Sequence, residues 1–230
     1  MKKQFRRKGI IFSGLVGLAA AGLAGNAAAD SDTRDWYVRA AGGLSYIQDD
    51  DNNDFTDNTG EQNADASFDL GWGAGLSVGR WFGERWRADL EWVYRSNDND
   101  RVRLDDGRVA RNGNYASTAF SLNGFYHFTD GRAVGRISPY VGAGLAWVNE
   151  IDIDLEGADF GRDYEDLEDD GFGVQVMGGL SYRQTRSLRW DAEVRWLYFG
   201  EADLDNGAGT RLEDVDYAPL TAFVGLSYEF

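Results

Sequence analysis

The last eleven residues, LTAFVGLSYEF at positions 220–230, set apolar side chains such as Leu220, Val224 and Leu226 at every second position. The residues between them are mostly polar or small. A period of two is the pattern of a β-strand with one apolar face. The same alternation recurs in seven more stretches, which begin at Trp36, Phe68, Trp86, Thr118, Ile137, Phe172 and Leu188. The sequence therefore predicts eight strands.

The connections between these strands alternate in length. Long polar segments lie near 48–66, 98–114, 152–170 and 200–217, whereas the connections between them are short. Long loops at one end and tight turns at the other are typical of outer-membrane barrels, whose loops are extracellular and whose turns are periplasmic. We therefore expect residues 30–230 to form one barrel with four long extracellular loops.

Aromatic side chains on the apolar faces fall at two depths. At the short-turn end they are Trp36, Phe82, Trp86, Tyr126, Phe128, Tyr182, Trp190, Tyr228 and Phe230, and at the long-loop end they are Tyr46, Phe68, Trp92, Tyr94, Trp147, Phe172, Trp196 and Tyr198. Two aromatic belts around an aliphatic band mark the two interfaces of a bilayer. The predicted fold is an all-β, eight-stranded antiparallel up-and-down transmembrane β-barrel.

Composition excludes several other classes of protein. The 230 residues include no cysteine and a single histidine, His127, which excludes a disulfide scaffold, a thiolate metal site and any site with two imidazoles. The formal charge of -16 disfavours nucleic acid as a partner, since that requires a basic surface. A mean hydropathy of -0.48 disfavours a helical membrane protein but suits a barrel, whose strands are only half apolar.

The first thirty residues have the order of a secretory signal peptide. Residues 2–8 carry five positive charges, residues 9–25 are an apolar run, and residues 27–29 are all alanine. This order is typical of an export signal with a small-residue cleavage site. We predict that residues 1–29 are a signal peptide cleaved before Asp30.

Two stretches resemble a known family. The terminal LTAFVGLSYEF resembles the C-terminal assembly signal of bacterial outer-membrane proteins, with Leu226, Tyr228 and Phe230 on one face, and PYVGAGL at 139–145 is similar to the fifth strand of small barrels of the OmpA/OmpX-like type. The resemblance implies the barrel domain alone, located in the outer membrane of a Gram-negative bacterium and folded by the barrel-assembly machinery. It implies no cell-wall-binding domain.

The opposite faces of the strands carry charges that we expect to point into the barrel. They are Arg39, Asp69, Arg87, Asp89, Glu91, Arg95, Arg183, Arg189, Asp191, Glu193, Arg195 and Glu229. Because side chains fill the interior of an eight-stranded barrel, such charges persist only when paired. Aligning the third strand with the seventh places Arg87 across from Asp191 and Glu91 across from Arg195. The pairs either plug the barrel or form a gate for ions or small polar solutes.

The long segments carry most of the negative charge. Candidate ligands for a divalent cation are Asp49, Asp50, Asp51, Asp54, Asp163, Glu165, Asp166, Asp169 and Asp170. Hard oxygen ligands suit Ca²⁺ or Mg²⁺, which would bridge this surface to lipopolysaccharide. Neither acidic run has the EF-hand spacing, and the alternative is a solvated acidic surface that binds no metal.

The sequence favours no catalytic role. His127 is expected to point inward near the periplasmic end, away from the outer leaflet, and a carboxylate-only protease barrel would need more strands. We expect a monomer without a cofactor, in contact with outer-membrane lipids and lipopolysaccharide, with a structural or surface-interaction role. A narrow gated pore is the alternative.

Overall fold

The computed structural model describes residues 34–47, 50–57, 60–68, 70–104, 109–110, 113–155, 164–205 and 211–230. The predicted signal peptide falls outside these ranges. Within them, no helix is long and apolar enough to cross a membrane.

Thirteen strands form in the described residues. In chain order they are β1 (Trp36–Tyr46), β2 (Asp50–Asp57), β3 (Gly60–Phe68), β4 (Gly71–Phe82), β5 (Trp86–Leu104), β6 (Val109–Ala110), β7 (Gly113–His127), β8 (Ile137–Leu155), β9 (Tyr164–Arg183), β10 (Leu188–Tyr198), β11 (Gly200–Asp205), β12 (Arg211–Tyr217) and β13 (Leu220–Glu229).

Eight of these strands close into a barrel in the order β1, β4, β5, β7, β8, β9, β10, β13. Each pairs antiparallel with its neighbours in this order. The last strand pairs back onto the first, from Tyr37 opposite Glu229 to Tyr46 opposite Leu220. Closure removes the sheet edges that would otherwise expose unpaired backbone groups to lipid. The predicted eight-stranded antiparallel barrel is therefore confirmed.

Burial alternates along the strands with the period of two that the sequence shows. In β13 the side chains of Thr221, Phe223 and Ser227 are buried, whereas those of Leu220 and Val224 are exposed. The exposed face is apolar throughout the barrel, and the buried face is largely polar, charged or aromatic. Soluble proteins bury apolar side chains and expose polar ones, and this barrel does the reverse. The reversal is expected of a barrel whose outer face contacts lipid.

The segments expected to be long loops contain β-structure instead. The strand β5 runs on to Leu104 and β8 to Leu155, and the first and last segments contain the hairpins β2–β3 and β11–β12. Phe68, which we expected to open the second membrane strand, ends β3, and β4 begins at Gly71. The reason is visible at residues 151–155, where isoleucine and leucine alternate with aspartate and so keep the strand period beyond the membrane.

Short turns close the end of the barrel that is expected to face the periplasm, which we call the periplasmic end, with the extracellular end opposite. Gly83 and Gly135 have φ angles of 79° and 76°, in the left-handed region that favours glycine. The backbone amide of Gly131 donates to the carbonyl oxygen of Glu84 at 2.9 Å, and that of Gly135 donates to Arg183 at 2.8 Å. The segment 128–136 is therefore held against the neighbouring turns.

Candidate functional site

Charged side chains fill the inside of the barrel. Of the twelve residues predicted to face the lumen, Asp69 is not among the described residues. The other eleven are each at most 5% exposed, namely Arg39, Arg87, Asp89, Glu91, Arg95, Arg183, Arg189, Asp191, Glu193, Arg195 and Glu229. Side chains alternate between the two faces of each strand, and closure of the barrel turns one face toward the lumen. All eleven lie on that inner face.

Asp191 lies among three guanidinium groups. Its Oδ2 atom is 3.2 Å from Arg189 Nε and 3.8 Å from Arg39 Nε, and its Oδ1 atom is 3.7 Å from Arg87 Nη2. The hydroxyl of Ser227 donates to Oδ2 at 3.2 Å. The pairing of Arg87 with Asp191, expected from the strand alignment, is present.

A second cluster joins β5 to β10 across the lumen. Arg195 donates through both terminal nitrogens to the carboxylate of Glu91, with Nη2 at 3.2 Å from Oε1. Its Nη2 atom also donates to Glu193 Oε1 at 2.7 Å. Arg39 Nη1 donates to Glu91 Oε1 at 3.3 Å. The second expected pair, Glu91 with Arg195, is therefore also present.

Glu229 anchors the periplasmic mouth of the lumen. Its Oε1 atom accepts from Arg189 Nη1 at 2.6 Å and from Trp81 Nε1 at 3.2 Å, and its carboxylate pairs with Arg183. Nearby, Arg87 Nε donates to His127 Nε2 at 3.2 Å. Because a guanidinium can only donate, this bond assigns the imidazole proton to Nδ1, which lies 3.1 Å from Ser138 Oγ. The single histidine is thus a buried partner of the network.

Neutral side chains complete the network, and sequence reasoning missed three of them. Asn123 Nδ2 donates to Asp89 Oδ1 at 2.9 Å and to Glu91 Oε2 at 3.1 Å, and Gln175 Nε2 donates to Asn123 Oδ1 at 2.6 Å. Tyr140 donates to Glu193 Oε2 at 2.9 Å. All three lie on the inner face of their strands. The two-residue period of the sequence marks them as lumen-facing and could therefore have identified them.

Aromatic rings surround the arginines and fit against glycines. Arg87 Cζ lies 3.9 Å from the centroid of the Phe125 ring and 4.8 Å from that of Tyr140. A Cβ atom at Gly142 would lie 2.6 Å from Phe125 Cδ1, so only glycine leaves room for that ring. The inward glycine at this position therefore accommodates a bulky neighbour on the adjacent strand.

Parts of the network lack hydrogen bonds. Buried polar atoms without a hydrogen-bond partner include Arg39 Nε, Arg87 Nη2 and Asp191 Oδ1. The ion pairs that these atoms make are 3.7–3.8 Å long. The charges are therefore paired, but not all of them are tightly bonded.

We call the region from Glu229 and Arg189 up to Glu91 and Arg195 the lower lumen, and the region beyond it the upper lumen. The upper lumen is lined by apolar side chains that are at most 2% exposed, namely Ile47, Val93, Ala119, Val148 and Leu197, and by equally buried polar ones, namely Ser45, Arg95, Asn97, Ser117 and Thr221. Arg95 Nε donates to Thr221 Oγ1 at 3.1 Å, and Asn97 Nδ2 donates to the Ser45 carbonyl oxygen at 2.8 Å.

The candidate cation ligands lie at the extracellular end. Asp49 and Asp163 are outside the described ranges, and Asp170 is exposed in β9. The backbone alone is described for Asp50, Asp51, Asp54, Glu165, Asp166 and Asp169, which lie in β2 and β9. Among the residues whose side chains are described, no group of three metal-binding side chains is present.

The predicted assembly signal lies on the lipid face of the last strand. Leu226, Tyr228 and Phe230 are 38%, 53% and 37% exposed. Tyr228 and Phe230 stack with their ring centroids 6.4 Å apart, within the periplasmic aromatic belt.

Comparison with known proteins agrees with this architecture. Residues 15–230 match the family described as outer membrane protein beta-barrel domain. The chain belongs to this family. Its members are outer-membrane barrels, and the protein is accordingly an outer-membrane β-barrel.

Two solved structures share the fold of this outer-membrane barrel. OprG from Pseudomonas aeruginosa is 18% identical, with a TM-score of 0.66, and the alignment covers 87% of this chain and 99% of that one. Neisserial surface protein A is 17% identical, with a TM-score of 0.51 and coverage of 85% and 97%. No curated protein matches the sequence.

Proposed function

We propose that this outer-membrane barrel is closed to solutes and has a structural and surface-interaction role. The observation that carries the proposal is the bond between Arg195 and Glu91. These residues lie on β10 and β5, which are diametrically opposite in the eight-strand ring. A side chain that bonds to the far wall leaves no continuous path along the axis.

The energetics of buried ion pairs support a closed resting state. Removing one partner of such a pair costs about 3–5 kcal/mol, because the other charge is left uncompensated. Parting the pair without rehydrating both groups would cost a similar amount, so the open state would be populated less than about 1% of the time. The five described lumen carboxylates all contact arginine, tyrosine or asparagine side chains, which supports a plug rather than a catalytic role.

Planar-bilayer recording of refolded residues 30–230 tests closure. We expect no current steps from the wild type and leakage from Arg87→Ala and Arg195→Ala, because each substitution removes a cation that spans the lower lumen. Circular dichroism and the heat-dependent shift in gel mobility would establish that each variant is folded. A wild type that already conducts would contradict the proposal.

A narrow gated pore is the second candidate. It is favoured by the incompletely bonded atoms of Arg39, Arg87 and Asp191, whose ion pairs of 3.7–3.8 Å leave them able to exchange partners. The same recording separates the two functions. Discrete wild-type steps whose size or frequency changes in Arg195→Ala would favour the gate.

At the cell surface, we propose that acidic strands bind Ca²⁺ or Mg²⁺ and thereby contact lipopolysaccharide. The register places Asp54 opposite Glu213 and Asp205 opposite Glu168. Like charges directly opposite each other in a sheet destabilise it, and a bound divalent cation would offset this. Calcium should raise the melting temperature of the wild type, raise that of Asp54→Asn/Glu213→Gln less, and leave unchanged that of a variant that also carries Asp205→Asn/Glu168→Gln. A wild-type melting temperature that is independent of calcium would contradict the proposal.

A further inference from the structure

Six arginines outside the lumen surround the periplasmic end of the barrel. We call them the arginine rim: Arg34, Arg80, Arg85, Arg132, Arg136 and Arg186. The side chains of all six are exposed except that of Arg132, which is half-buried. Among the described residues of this end, the rim faces three side-chain carboxylates, Asp35, Glu84 and Asp130, together with the C-terminal carboxylate. The rim is therefore a positively charged surface on a chain whose formal charge is -16.

Two members of the rim lie within the aromatic belt. Arg80 is 47% exposed at its side chain, and its Cζ lies 5.6 Å from the Trp36 ring centroid and 5.8 Å from that of Phe82. Arg85 Nη1 donates to the Tyr126 hydroxyl at 3.4 Å. These rings face lipid, and aromatic belts lie at headgroup depth. Both guanidinium groups are therefore held at the level of the lipid headgroups.

The nearby carboxylates neutralise the rim only in part. Asp35 is shared between two arginines, with Oδ1 at 3.0 Å from Arg132 Nη1 and Oδ2 at 3.7 Å from Arg80 Nη2. Asp130 Oδ1 accepts from the backbone amide of Arg132 at 2.8 Å. One carboxylate between two guanidinium groups leaves positive charge at the membrane surface.

We propose that the arginine rim binds the phosphate groups of anionic phospholipids in the periplasmic leaflet, with Arg80 and Arg85 as the principal contacts. Guanidinium presents a planar fork of donors that matches phosphate oxygens. Basic side chains close to a bilayer surface are attracted electrostatically to its anionic lipids. Bound lipids would fix the depth and tilt of the barrel at this interface.

Lipid enrichment around the purified protein tests the proposal. The mature protein, residues 30–230, is reconstituted into bilayers of equal parts phosphatidylcholine and phosphatidylglycerol and extracted in mild detergent, and its bound lipids are counted by native mass spectrometry. We expect at least about threefold enrichment of phosphatidylglycerol on the wild type and loss of most of it in Arg80→Gln/Arg85→Gln, since each arginine contributes up to about fivefold. The heat-dependent shift in gel mobility verifies folding.

The matched control removes the same charge from the other end of the molecule. Arg101 and Arg103 lie in the extracellular part of β5, and Arg101→Gln/Arg103→Gln should keep the wild-type enrichment. If Arg80→Gln/Arg85→Gln does not fold, Arg136→Gln/Arg186→Gln removes two rim charges from exposed turns and should lose at least about half of the enrichment. The proposal would be overturned if the wild type bound the two lipids in the ratio of the surrounding bilayer. It would also be overturned if the rim and control variants lost the same share of the phosphatidylglycerol enrichment.

Discussion

The lower and upper lumen belong to the same strands but are built from different chemistry. In β10, Arg189, Asp191 and Arg195 face the lower lumen, and Leu197, the next inward residue, faces the upper lumen. Position in the lumen therefore decides what kind of contact a side chain makes. A network of ion pairs closes the lower lumen, whereas apolar packing and the separate hydrogen bonds of Arg95 and Asn97 fill the upper one.

This difference separates closure from packing. A charge in the lower lumen has specific partners on the far wall, so its loss leaves those partners buried and uncompensated. An apolar side chain in the upper lumen has neighbours but no partner, so its loss leaves a cavity. The two regions should accordingly respond differently to substitution, both in stability and in leakage.

The largest effect is expected from Asp191→Ala in the lower lumen. We predict a loss of about 3–5 kcal/mol in the free energy of unfolding, because Arg39, Arg87 and Arg189 lose their shared carboxylate. Urea unfolding in lipid vesicles, followed by tryptophan fluorescence, measures it. Ser181→Ala, opposite Asp191 in the register, is the control and should cost under about 0.5 kcal/mol, since Ser181 Oγ has no hydrogen bond to lose. A cost below about 1 kcal/mol for Asp191→Ala would contradict the claim that the ion pairs of Asp191 hold the lower lumen together.

Leu197→Ala in the upper lumen should have the next largest effect. Leu197 is fully buried and packs beside Gly173, where a Cβ atom would lie 3.2 Å from Leu197 Cδ1. The resulting cavity should cost about 2–3 kcal/mol in the same urea titration. Leu145→Ala is the matched control, because Leu145 is 63% exposed toward lipid that can fill the space. Equal costs at the two positions would show that the upper lumen is not packed.

Tyr140→Phe should have the smallest effect of the three. It removes one hydrogen bond, of 2.9 Å, from a carboxylate that keeps its bond to Arg195 at 2.7 Å. A loss of about 1 kcal/mol is expected. Tyr182→Phe, whose ring is exposed on the lipid face, should leave stability unchanged. A loss at Tyr140 as large as that of Asp191→Ala would mean that the hydroxyl rather than the ion pairs holds the lower lumen.

The barrel itself could be predicted from the sequence because its two physical requirements are local. A strand that separates lipid from the lumen must alternate, and aromatic side chains must collect at two depths. Both are visible in stretches such as 86–94, where Trp86 lies in one belt and Trp92 and Tyr94 lie in the other. The pairings of Arg87 with Asp191 and Glu91 with Arg195 were accessible for a similar reason, since aligning two opposite strands is enough to match their inward residues.

Contacts that depend on closure could not be predicted. Whether Arg39 meets Glu91, Asp191 or Glu193 is decided by the stagger of the whole ring, and alternation reveals only that all of them face inward. Asn123 and Gln175 were missed because attention to charge left out neutral inward residues. The strand extensions were missed because acidic residues at 150–155 suggested loops, although their alternation with isoleucine persists.

Ionic current through two variants of β10 tests the central claim most directly. Arg195 and Leu197 are successive inward residues and at most 1% exposed, so Arg195→Ala and Leu197→Ala remove buried volume from the same wall at neighbouring depths. In planar bilayers, we predict leakage from Arg195→Ala and none from Leu197→Ala or the wild type. Leakage from both variants, or from Leu197→Ala alone, would contradict closure by the ion pairs of the lower lumen.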